Sequence, residues 1–593
     1  MSRKKKLAAV VALLVVAQIG RAAQQQEVTV EHDVQAKMRD GVILHADIYR
    51  PKEDGRFPVL LQRTPYNKTS HGESSFGHRA AANGYVVIIQ DVRGRYTSEG
   101  EWYPFKHESN DGYDTVEWTA TLPYSNGKVG MFGGSYVGAT QMLAAIAHPP
   151  HLSGICPVVT ASNYHDGWTY QSGAFEQWFN ESWTSGLAQD TFARAVEKHT
   201  NALEGAWTLP LSRYPLFSLP PHATQADLTA ALAPYFLDWL AHPSYDDYWK
   251  GWSIEEHYSD ITVPVLTIAA WYDIFQGGSL RNYVGIRAHG GSEEARRGQR
   301  LLVTIGGHAG SGRKIGDVDF GPVAEFQEDD AALLWYDFLL KRVQNELANA
   351  KPVKIFVMGS NRWREEEDWP LVRARSTKYF LHSARSANSL SGDGTLTTTP
   401  PRSEPFDHYT YDPSNPAPTV GGPLCCDSKH LAPGPRDQRV VEARDDVLIY
   451  STAPLAQDVE VTGPVLLELH AKSSAVDTDF TAKLVDVWPN GFAQNLTEGI
   501  IRARYRNSQE KPELMNPGQV YRFTLDLWST SNVFLKGHVL RLEISSSNFP
   551  RFDRNLNSGE DAEFAQRYVS ATNAIYHDAE HPSALVLPIV PAQ

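Results

Sequence analysis

Cysteine is scarce in this chain. Its 593 residues include three cysteines, Cys156, Cys425 and Cys426, which are too few for a fold held together by disulfides. Three arrangements stay open: a vicinal disulfide between Cys425 and Cys426, a bond from one of them to Cys156, or free thiols only.

Sequence motifs for metal ions and phosphate groups are also missing. The chain contains no C-x-x-C pair, no H-E-x-x-H motif and no glycine-rich phosphate-binding loop. We therefore predict no metal site and no cofactor. The formal net charge of −14 makes nucleic acids and anionic membrane surfaces unfavourable partners. A small-molecule substrate is the expected partner, and the sequence leaves a homo-oligomer open.

The amino terminus has the three parts of a secretory signal peptide. Arg3–Lys6 is positively charged, Leu7–Ala17 is apolar throughout, and small residues follow between Gly20 and Ala23. The apolar part is too short to span a bilayer comfortably. We predict that residues 1–23 are removed during export, which leaves a periplasmic or secreted protein without a membrane anchor.

One segment combines a buried strand, a sharp turn and a helix. Lys128–Phe132 is short and largely apolar, two glycines before Ser135 predict a tight turn, and Tyr136–Ala147 has small and apolar residues at helical spacing. This order, with serine at the turn, is typical of a nucleophile elbow. The glycine that usually stands two residues after the serine comes one position later, at Gly138. A turn whose serine only caps the helix is the alternative interpretation.

Buried strands alternate with helical stretches over the first half of the chain. Such an alternation favours a parallel sheet covered by helices on both faces, and we assign residues 27–162 and 258–350 to this α/β domain. Near the end of one strand, Asp91 and Arg93 are expected to form a structural ion pair. The continuous apolar runs are Phe57–Leu61, Gly84–Asp91, Val263–Ala270 and Arg300–Ile305.

Two further parts of the chain have a different composition. Residues 163–257 are rich in aromatic residues and helical stretches, and predict a helical cap inserted at the carboxyl end of the sheet, where α/β enzymes bind ligands. Over residues 351–593, short alternating strands beginning with Val353–Val357 predict a β-sandwich. Within it, we expect Thr397–Pro418 to be a long surface loop.

The turn serine needs a base and an orienting acid before it can attack at neutral pH. On a parallel sheet, these partners lie just past the carboxyl ends of later strands. Asp273 follows the apolar segment that ends at Tyr272, and His308 follows a strand and two glycines. The order Ser135, Asp273, His308 is that of α/β-hydrolases, so we predict these residues as a catalytic triad.

Short motifs in both halves of the chain form a specific combination. They are Arg63–Tyr66, Gln90–Arg95, Ser98–Gly100, Gly133–Gly138, Trp271–Asp273, Gly307-His308, Arg362-Trp363, Leu390–Gly394, Tyr411–Pro416 and Phe549–Asp553. Together they resemble the cocaine-esterase-like acyl hydrolases, which are grouped with X-Pro dipeptidyl-peptidases, glutaryl acylases and α-amino-acid ester hydrolases. In this family the elbow reads G-x-S-Y-x-G, so Gly138 stands where the family has it.

The resemblance implies an α/β-hydrolase domain with a helical cap and a C-terminal jelly-roll β-sandwich. It also implies an acyl-enzyme on Ser135, with the oxyanion held by the backbone N–H of Tyr136 and the phenol of Tyr66. From the sequence alone, Tyr66 reads as a structural loop tyrosine. Trp168 and Phe275 are candidates for the lining of the substrate pocket, although aromatic residues in an insertion more often form a core.

Two positions bear on the choice among relatives. In α-amino-acid ester hydrolases, the second and third positions after the triad aspartate are acidic, and here they are Phe275 and Gln276. An ammonium group bound there would have no charged partner, which is unfavourable in a buried site. We therefore predict a serine hydrolase of carboxylic esters with apolar or aromatic acyl groups. The alternatives are an X-Pro dipeptidyl-peptidase, an amide or β-lactam-type acylase, and a carbohydrate-binding protein with an inactive hydrolase domain.

Overall fold

The computed structural model of the protein describes residues 27–203, 225–308, 310, 312–384, 386–560 and 566–591. It describes the side chains of all these residues except 195–203 and 225–228. The predicted signal peptide, residues 1–23, and residues 204–224 of the predicted insertion lie outside the described residues. Within the described ranges, no helix is long and apolar enough to cross a membrane.

A mixed sheet forms the centre of the first part of the chain. The strands of this part are β1 (Val28–Lys37), β2 (Ile43–Pro51), β3 (Phe57–Thr64), β4 (Val86–Asp91), β5 (Ser125–Gly134), β6 (Leu152–Val158), β7 (Tyr170–Gln171), β8 (Ala174–Phe175), β9 (Leu266–Tyr272), β10 (Arg300–Gly307), β11 (Lys314–Ile315), β12 (Val318–Asp319), β13 (Val353–Val357) and β14 (Arg362–Glu366). Ten of them pair in the order β1-β2-β4-β3-β5-β6-β9-β10-β13-β14. The strands from β4 to β13 in this order run parallel, and antiparallel strands close both edges.

Helices follow most of these strands and also fill the insertion. They are α1 (His71–Ala82), α2 (Glu108–Ala120), α3 (Tyr136–Ile146), α4 (Gln177–Leu203), α5 (Gln225–Leu232), α6 (Pro234–Ala241), α7 (Asp247–Lys250), α8 (Gln276–His289), α9 (Glu293–Arg297), α10 (Glu328–Leu339) and α11 (Arg439–Glu442). Short 3-10 helices lie at Ile254–Asp260, Pro322–Ala324, Glu346–Ala348 and Ala503–Tyr505, and the first of them is kinked at His257.

Helices cover both faces of the first sheet. On one face, α1 and α10 bury Phe76 and Trp335 in a core that includes Phe132. On the other face, α2 and α3 bury Val116 and Met142 in a larger core. Because both faces exclude water, strands such as β4 are buried at every residue and read as continuous apolar runs. The predicted α/β class is confirmed.

The insertion between β6 and β9 carries the helices α4 to α7. Its aromatic side chains extend the core above α3, since Phe179, Trp183 and Trp239 belong to the same apolar cluster as Met142. The insertion therefore lies over the face of the sheet that carries α2 and α3.

The C-terminal part is built from strands. They are β15 (Arg375–His382), β16 (Thr395–Thr397), β17 (Asp407–Tyr411), β18 (Leu448–Ser451), β19 (Val459–Ser473), β20 (Asp479–Val487), β21 (Ala493–Arg502), β22 (Tyr521–Phe534), β23 (Val539–Ser545), β24 (Ala571–Tyr576) and β25 (Ala584–Val590). Their hydrogen bonds join them in one sheet, and their inward side chains share one apolar core that contains Leu467, Leu525 and Leu542. The predicted strand-rich C-terminal domain is confirmed.

Three strands differ from their predicted places. β14 and β13 lie within the range predicted for the sandwich, but both belong to the first sheet, where β14 pairs with β13. β13 pairs in parallel with β10. Its side chains are buried on both faces, and this is the property that a central parallel strand requires. β17 lies inside the predicted loop Thr397–Pro418 and pairs with β24 at a sheet edge. Its residues alternate between buried and exposed, a period-two signal that the proline-rich flanks obscured.

The expected ion pair between Asp91 and Arg93 is wrong. Asp91 lies 3.3 Å from the ammonium of Lys68, whereas Arg93 donates to Asp111 at 2.6 Å. The chain turns at the end of β4, so the two side chains are directed to different neighbours.

The three cysteines form one disulfide and one thiol. Cys425 and Cys426 are joined in a vicinal disulfide, and Cys156 is a buried free thiol. Burial raises the pKa of the Cys156 thiol. Cys425 packs in the same apolar cluster as Phe275, so the disulfide lies on the side of the sheet that carries the insertion.

Candidate active site

Ser135 occupies a strained turn between β5 and α3. Its φ of 61° and ψ of −128° lie outside the regions that residues with a side chain prefer. Its N–H donates to the carbonyl of Val158 at 2.9 Å, and its own carbonyl accepts the N–H of Gly138 at 2.9 Å. Strand β6 and the first turn of α3 therefore hold the serine in place.

Two glycines let the strand and the helix approach each other. A Cβ atom at Gly133 would lie 2.4 Å from Cγ1 of Val137, and one at Gly138 would lie 2.8 Å from Cβ of Thr160. At Gly134 the nearest atom would be 3.5 Å away, which is an ordinary contact. The geometry of the elbow thus requires glycine at positions 133 and 138. At position 134 there is room for a side chain.

The structure brings Ser135, His308 and Asp273 into one hydrogen-bonded chain. Oγ of Ser135 lies 2.8 Å from Nε2 of His308, and Nδ1 of His308 lies 2.6 Å from Oδ1 of Asp273. Asp273 is fully buried, and its Oδ2 accepts the N–H of Phe275 at 2.8 Å. Because both of its oxygens are engaged, the carboxylate orients the imidazole with Nε2 towards the serine.

The phenol of Tyr66 lies beside the serine hydroxyl. Its oxygen accepts the indole N–H of Trp183 at 3.0 Å. Burial raises the pKa of Tyr66, while interactions with Trp183, with the hydroxyl of Ser135 and with the backbone N–H of Tyr136 lower it. The net shift is upward, so the phenol keeps its proton at neutral pH and remains a donor next to the serine.

The side chain of Tyr136 has a separate, structural role. Its phenol accepts the N–H of Phe105 at 2.8 Å and donates to Oε1 of Glu108 at 2.9 Å. Glu108 in turn binds the guanidinium of Arg63 at 2.6 Å. These buried contacts hold the start of α3 and engage the phenol of Tyr136. The group of Tyr136 that can bind a reacting oxygen is therefore its backbone N–H.

The same architecture occurs in known proteins. The profile of the X-Pro dipeptidyl-peptidase (S15 family) matches residues 40–310, and that of the X-Pro dipeptidyl-peptidase C-terminal non-catalytic domain matches residues 345–586. The chain is also 38% identical over 577 residues to the cocaine esterase of Rhodococcus sp. (strain MB1 Bresler), a match over 95% of this chain and 99% of that protein. The chain belongs to the X-Pro dipeptidyl-peptidase (S15) family. It is a serine hydrolase.

Two solved structures are similar to this S15 family member over nearly their whole lengths. An aminopeptidase from the marine sediment archaeon Thaumarchaeota archaeon has a TM-score of 0.80 at 25% identity, covering 96% of this chain and 97% of that chain. An α-amino acid ester hydrolase has a TM-score of 0.77 at 24% identity, with the same coverage. The order of an α/β domain followed by a strand-rich domain is thus shared by these proteins.

Aromatic side chains lie against the triad of this S15 family member. Phe275 packs edge-on to the ring of His308, with 5.0 Å between ring centroids, and Trp168 stacks on Phe275 at 4.3 Å. Phe179 and Trp183 contact Trp168 and complete this aromatic cluster. The sequence analysis singled out Trp168 and Phe275 but not the other two, although their four-residue spacing places both on one face of α4.

The second and third positions after the triad aspartate carry no charge that could bind an ammonium group. Phe275 belongs to the aromatic cluster. Gln276 is buried and exchanges two hydrogen bonds with the backbone of Ser529, at 2.5 and 3.0 Å. The amide of Gln276 therefore connects the segment after Asp273 to the C-terminal domain.

Metal ligands were not expected from the sequence. In the part of the chain that the structure describes, no group of three or more His, Cys, Asp or Glu residues is placed to hold a metal ion.

Proposed function

We propose that the protein hydrolyses carboxylic esters with apolar or aromatic acyl groups through an acyl-enzyme on Ser135. The observation that carries this proposal is the hydrogen-bonded chain from Ser135 through His308 to Asp273, with Tyr66 beside the serine. Membership of the S15 family and the similarity to a cocaine esterase support ester hydrolysis. The reaction needs no cofactor.

In the first half of the reaction, Nε2 of His308 takes the proton of the Ser135 hydroxyl while Oγ attacks the carbonyl carbon of the ester. Asp273 stabilises the imidazolium that forms. The carbonyl oxygen becomes an oxyanion, and the backbone N–H of Tyr136 and the phenol of Tyr66 donate to it. A preorganised donor of this kind lowers the barrier by about 2.7–4 kcal/mol.

In the second half, the tetrahedral intermediate collapses and the bond to the alcohol breaks. The imidazolium of His308 gives its proton to the departing alkoxide, which leaves the acyl group bound to Oγ of Ser135. Water then attacks the acyl carbon as His308 accepts its proton, and the same donors stabilise the second oxyanion. The second tetrahedral intermediate then collapses, the bond between the acyl carbon and Oγ of Ser135 breaks, and the imidazolium of His308 returns its proton to Oγ as the carboxylic acid leaves.

The aromatic cluster supports an apolar acyl group. Trp183 donates to Tyr66, and Tyr136 packs within 5.9 Å of the ring of Trp183, so both proposed oxyanion residues adjoin the cluster. An acyl group whose carbonyl oxygen is bound between them extends towards these rings. Apolar burial there favours aromatic and short aliphatic acids over charged ones.

A comparison of two chromogenic substrates tests the proposal. We expect fast hydrolysis of 4-nitrophenyl butyrate and no release of 4-nitroaniline from Ala-Pro-4-nitroanilide, with the Ser135→Ala variant as the blank. Fast cleavage of the anilide would instead establish an X-Pro dipeptidyl-peptidase. If the protein cleaves neither of these substrates and no other ester, the proposed ester hydrolysis is wrong. That result would favour the carbohydrate-binding alternative.

We also propose that the protein is exported. The charged, apolar and small-residue parts of the first 23 residues support a cleaved signal peptide. Amino-terminal sequencing of the protein from an expressing bacterium tests this, because a mature chain that begins near Gln24 is expected. A chain that keeps Met1–Ala23 in the cytoplasm would contradict it.

A further inference from the structure

A cavity lies next to the elbow, on the face of the sheet opposite the aromatic cluster. Its volume is about 300 Å³, and Gly133 and Gly134 form part of its wall. The wall of the cavity therefore includes the residue that directly precedes Ser135 in the chain. Its other walls come from the end of β6, the first turns of α1 and the start of α10.

Two carboxylates and an amide are among the polar groups of this cavity, and the amide of Gln62 also interacts with the carboxylate of Glu73. The carboxylates of Glu73 and Glu328 line it, and neither pairs with a cation in the described part of the chain. Gln62 is only 4% exposed, and its Oε1 has no hydrogen-bond partner among the described residues. Buried polar atoms are nearly always satisfied in proteins, so this orphan acceptor indicates a missing donor.

The ionisable side chains among the described residues of the cavity wall are acids and one thiol. A third carboxylate, Asp329, lies at its exposed rim, 3.6 Å from the guanidinium of Arg79. No lysine, arginine or histidine occurs among the lining residues that the structure describes. Glu73 and Glu328 stand in first helical turns, which favour ionised carboxylates, but burial outweighs this and raises the pKa of both groups, that of Glu73 to about 7. A bound cation would supply the counter-ion that favours their ionised forms.

Two phenyl rings form the apolar wall. Phe76 and Phe132 both line the cavity, and their centroids are 4.3 Å apart. An aromatic face attracts a cation and also contacts its alkyl groups. Carboxylates beside phenyl rings therefore suit an organic ammonium group better than a strongly hydrated metal ion.

The cavity is electrostatically connected to the triad. Burial raises the pKa of Glu328, and its carboxylate also interacts with His308 and Asp273. A group bound in the cavity would thus lie near the imidazole that transfers the proton, on the side away from the aromatic cluster.

We propose that this ammonium cavity, defined by Gln62, Glu73, Phe76, Phe132 and Glu328, binds an alkylammonium group. The two carboxylates supply the charge, the Gln62 carbonyl accepts an N–H, and the two phenyl rings contact the alkyl substituents. Such a group has two sources. It is carried on the alcohol part of an ester, in which case the inference rests on the proposed ester hydrolysis, or it belongs to a free amine that binds beside the nucleophile.

Isothermal titration calorimetry with triethylammonium chloride tests the cavity without any turnover. Sodium chloride at the same ionic strength is the blank. We expect binding by the full-length protein, with a dissociation constant about tenfold higher in Glu73→Gln and in Glu328→Gln. Glu325→Gln is the matched control, because it removes the same charge three residues before Glu328 at an exposed position outside the cavity.

Each glutamine variant keeps the shape of the side chain, and thermal unfolding checks that it folds. The two variants lie on different helices, so failure of one to fold leaves the other as the test. Heats equal to those of sodium chloride would overturn the proposal. Equal affinity in the parent protein and both folded variants would do the same.

A matched pair of esters then identifies the source of the ammonium group. The pair is 2-(dimethylamino)ethyl benzoate and 3-methylbutyl benzoate. The two esters have the same shape, but the first has a protonated nitrogen where the second has a carbon. If the substrate carries the group, kcat/KM favours the amino ester, and Glu73→Gln lowers this preference about tenfold. If a free amine is the ligand, the parent protein shows no preference between the two esters. Triethylammonium then alters hydrolysis of the neutral ester in the parent, and the same effect in Glu73→Gln needs a concentration about tenfold higher. Absence of turnover of every ester would refute the proposed function, and the calorimetric result would still decide the cavity.

Discussion

The indole N–H of Trp183 donates to the phenol oxygen of Tyr66 over 3.0 Å. Trp183 belongs to the helical insertion, and Tyr66 to the loop after β3, so this bond joins two parts of the chain that are 117 positions apart. Because the phenol oxygen accepts a hydrogen bond from Trp183, its own O–H is directed elsewhere, and Ser135 lies within its interaction range.

We expect the Tyr66→Phe substitution to lower kcat by about 10²–10³, with a small change in KM, because it removes a donor that acts on the oxyanion. Initial rates with 4-nitrophenyl butyrate measure this. Tyr568→Phe, which removes an exposed phenol, is the control. Equal kcat in Tyr66→Phe and the parent protein would exclude the phenol from the oxyanion site.

Two substitutions at Ser135 separate activity from stability. Ser135→Ala is expected to reduce turnover by at least about 10³-fold while the fold is kept. Ser135→Gly should be equally inactive but more stable than Ser135→Ala by about 1 kcal/mol, because glycine adopts the positive φ of the elbow without strain. Turnover and urea unfolding of both variants provide the test. Substantial turnover in either one contradicts the nucleophile assignment.

Arg551 connects the C-terminal domain to the insertion. Its guanidinium is buried and lies 2.5 Å from Glu498, 3.1 Å from Gln171 and 3.4 Å from Glu176. Burial raises the pKa of Glu176 to about 7 even with Arg551 beside it. Arg551→Met would leave two buried carboxylates without a cation, and we expect it to lower the free energy of unfolding by about 3–5 kcal/mol.

Chemical denaturation measures this effect of Arg551. Arg554→Met is the matched control, because Arg554 is less buried and contacts a carbonyl and a phenol rather than a carboxylate. Similar losses in both variants would show that general packing, rather than the buried charge, accounts for the destabilisation.

The stability contribution of Glu73 should depend on pH. Burial raises its pKa to about 7 from an ordinary value of 4.5, with Gln62 opposing the shift and Asp329 adding to it. The folded state therefore binds this proton more tightly than the unfolded chain, so the contribution of Glu73 to stability falls as the pH rises from about 4.5 to about 7. The other carboxylate that faces this cavity, Glu328, has a pKa raised in the same direction.

We expect Glu73→Gln to raise the melting temperature relative to the parent at about pH 7.5 more than at about pH 5, since glutamine removes the buried charge. Scanning calorimetry at both pH values checks this, with Glu325→Gln as the exposed control. A melting-temperature difference that does not change with pH would contradict the raised pKa.

The vicinal disulfide and the buried Cys156 predict a thiol count. We expect no thiol to react with a thiol reagent in the native protein, one to react after denaturation, and all three after denaturation with reduction. The Cys156→Ser variant should show none in the first two states. Three reactive thiols after denaturation without reduction would exclude the disulfide.

Much of the fold follows from local sequence signals. The elbow is encoded within Lys128–Ala147, where an apolar strand, a glycine turn and a helix succeed one another, and the structure has each of them. Strands β4, β9 and β10 are buried on both faces, so their apolar runs identify them. The prediction failed at β13, because a short strand of four apolar residues and one lysine indicates a strand but not the sheet to which it belongs.

The candidate site was only partly accessible to such reasoning. Asp273 and His308 could be predicted, because each directly follows a strand and their order along the chain matches the topology of the sheet. Phe179 and Trp183 could not be singled out among the aromatic residues of the insertion, since their contacts with Trp168 depend on how α4 packs over the sheet. Glu73 and Glu328 gave no signal at all, because each reads as an ordinary acidic residue in a first helical turn.

The sequence by itself determined the elbow, the order of the triad residues and the alternation of buried strands with helices, because these features are written in neighbouring residues and in chain order. Only the tertiary structure decided which aromatic side chains meet the triad, how Arg551 joins two domains, and that Gln62, Glu73 and Glu328 enclose one cavity. These contacts join positions far apart in the chain, and they arise from the packing of whole helices and sheets, which no local pattern specifies.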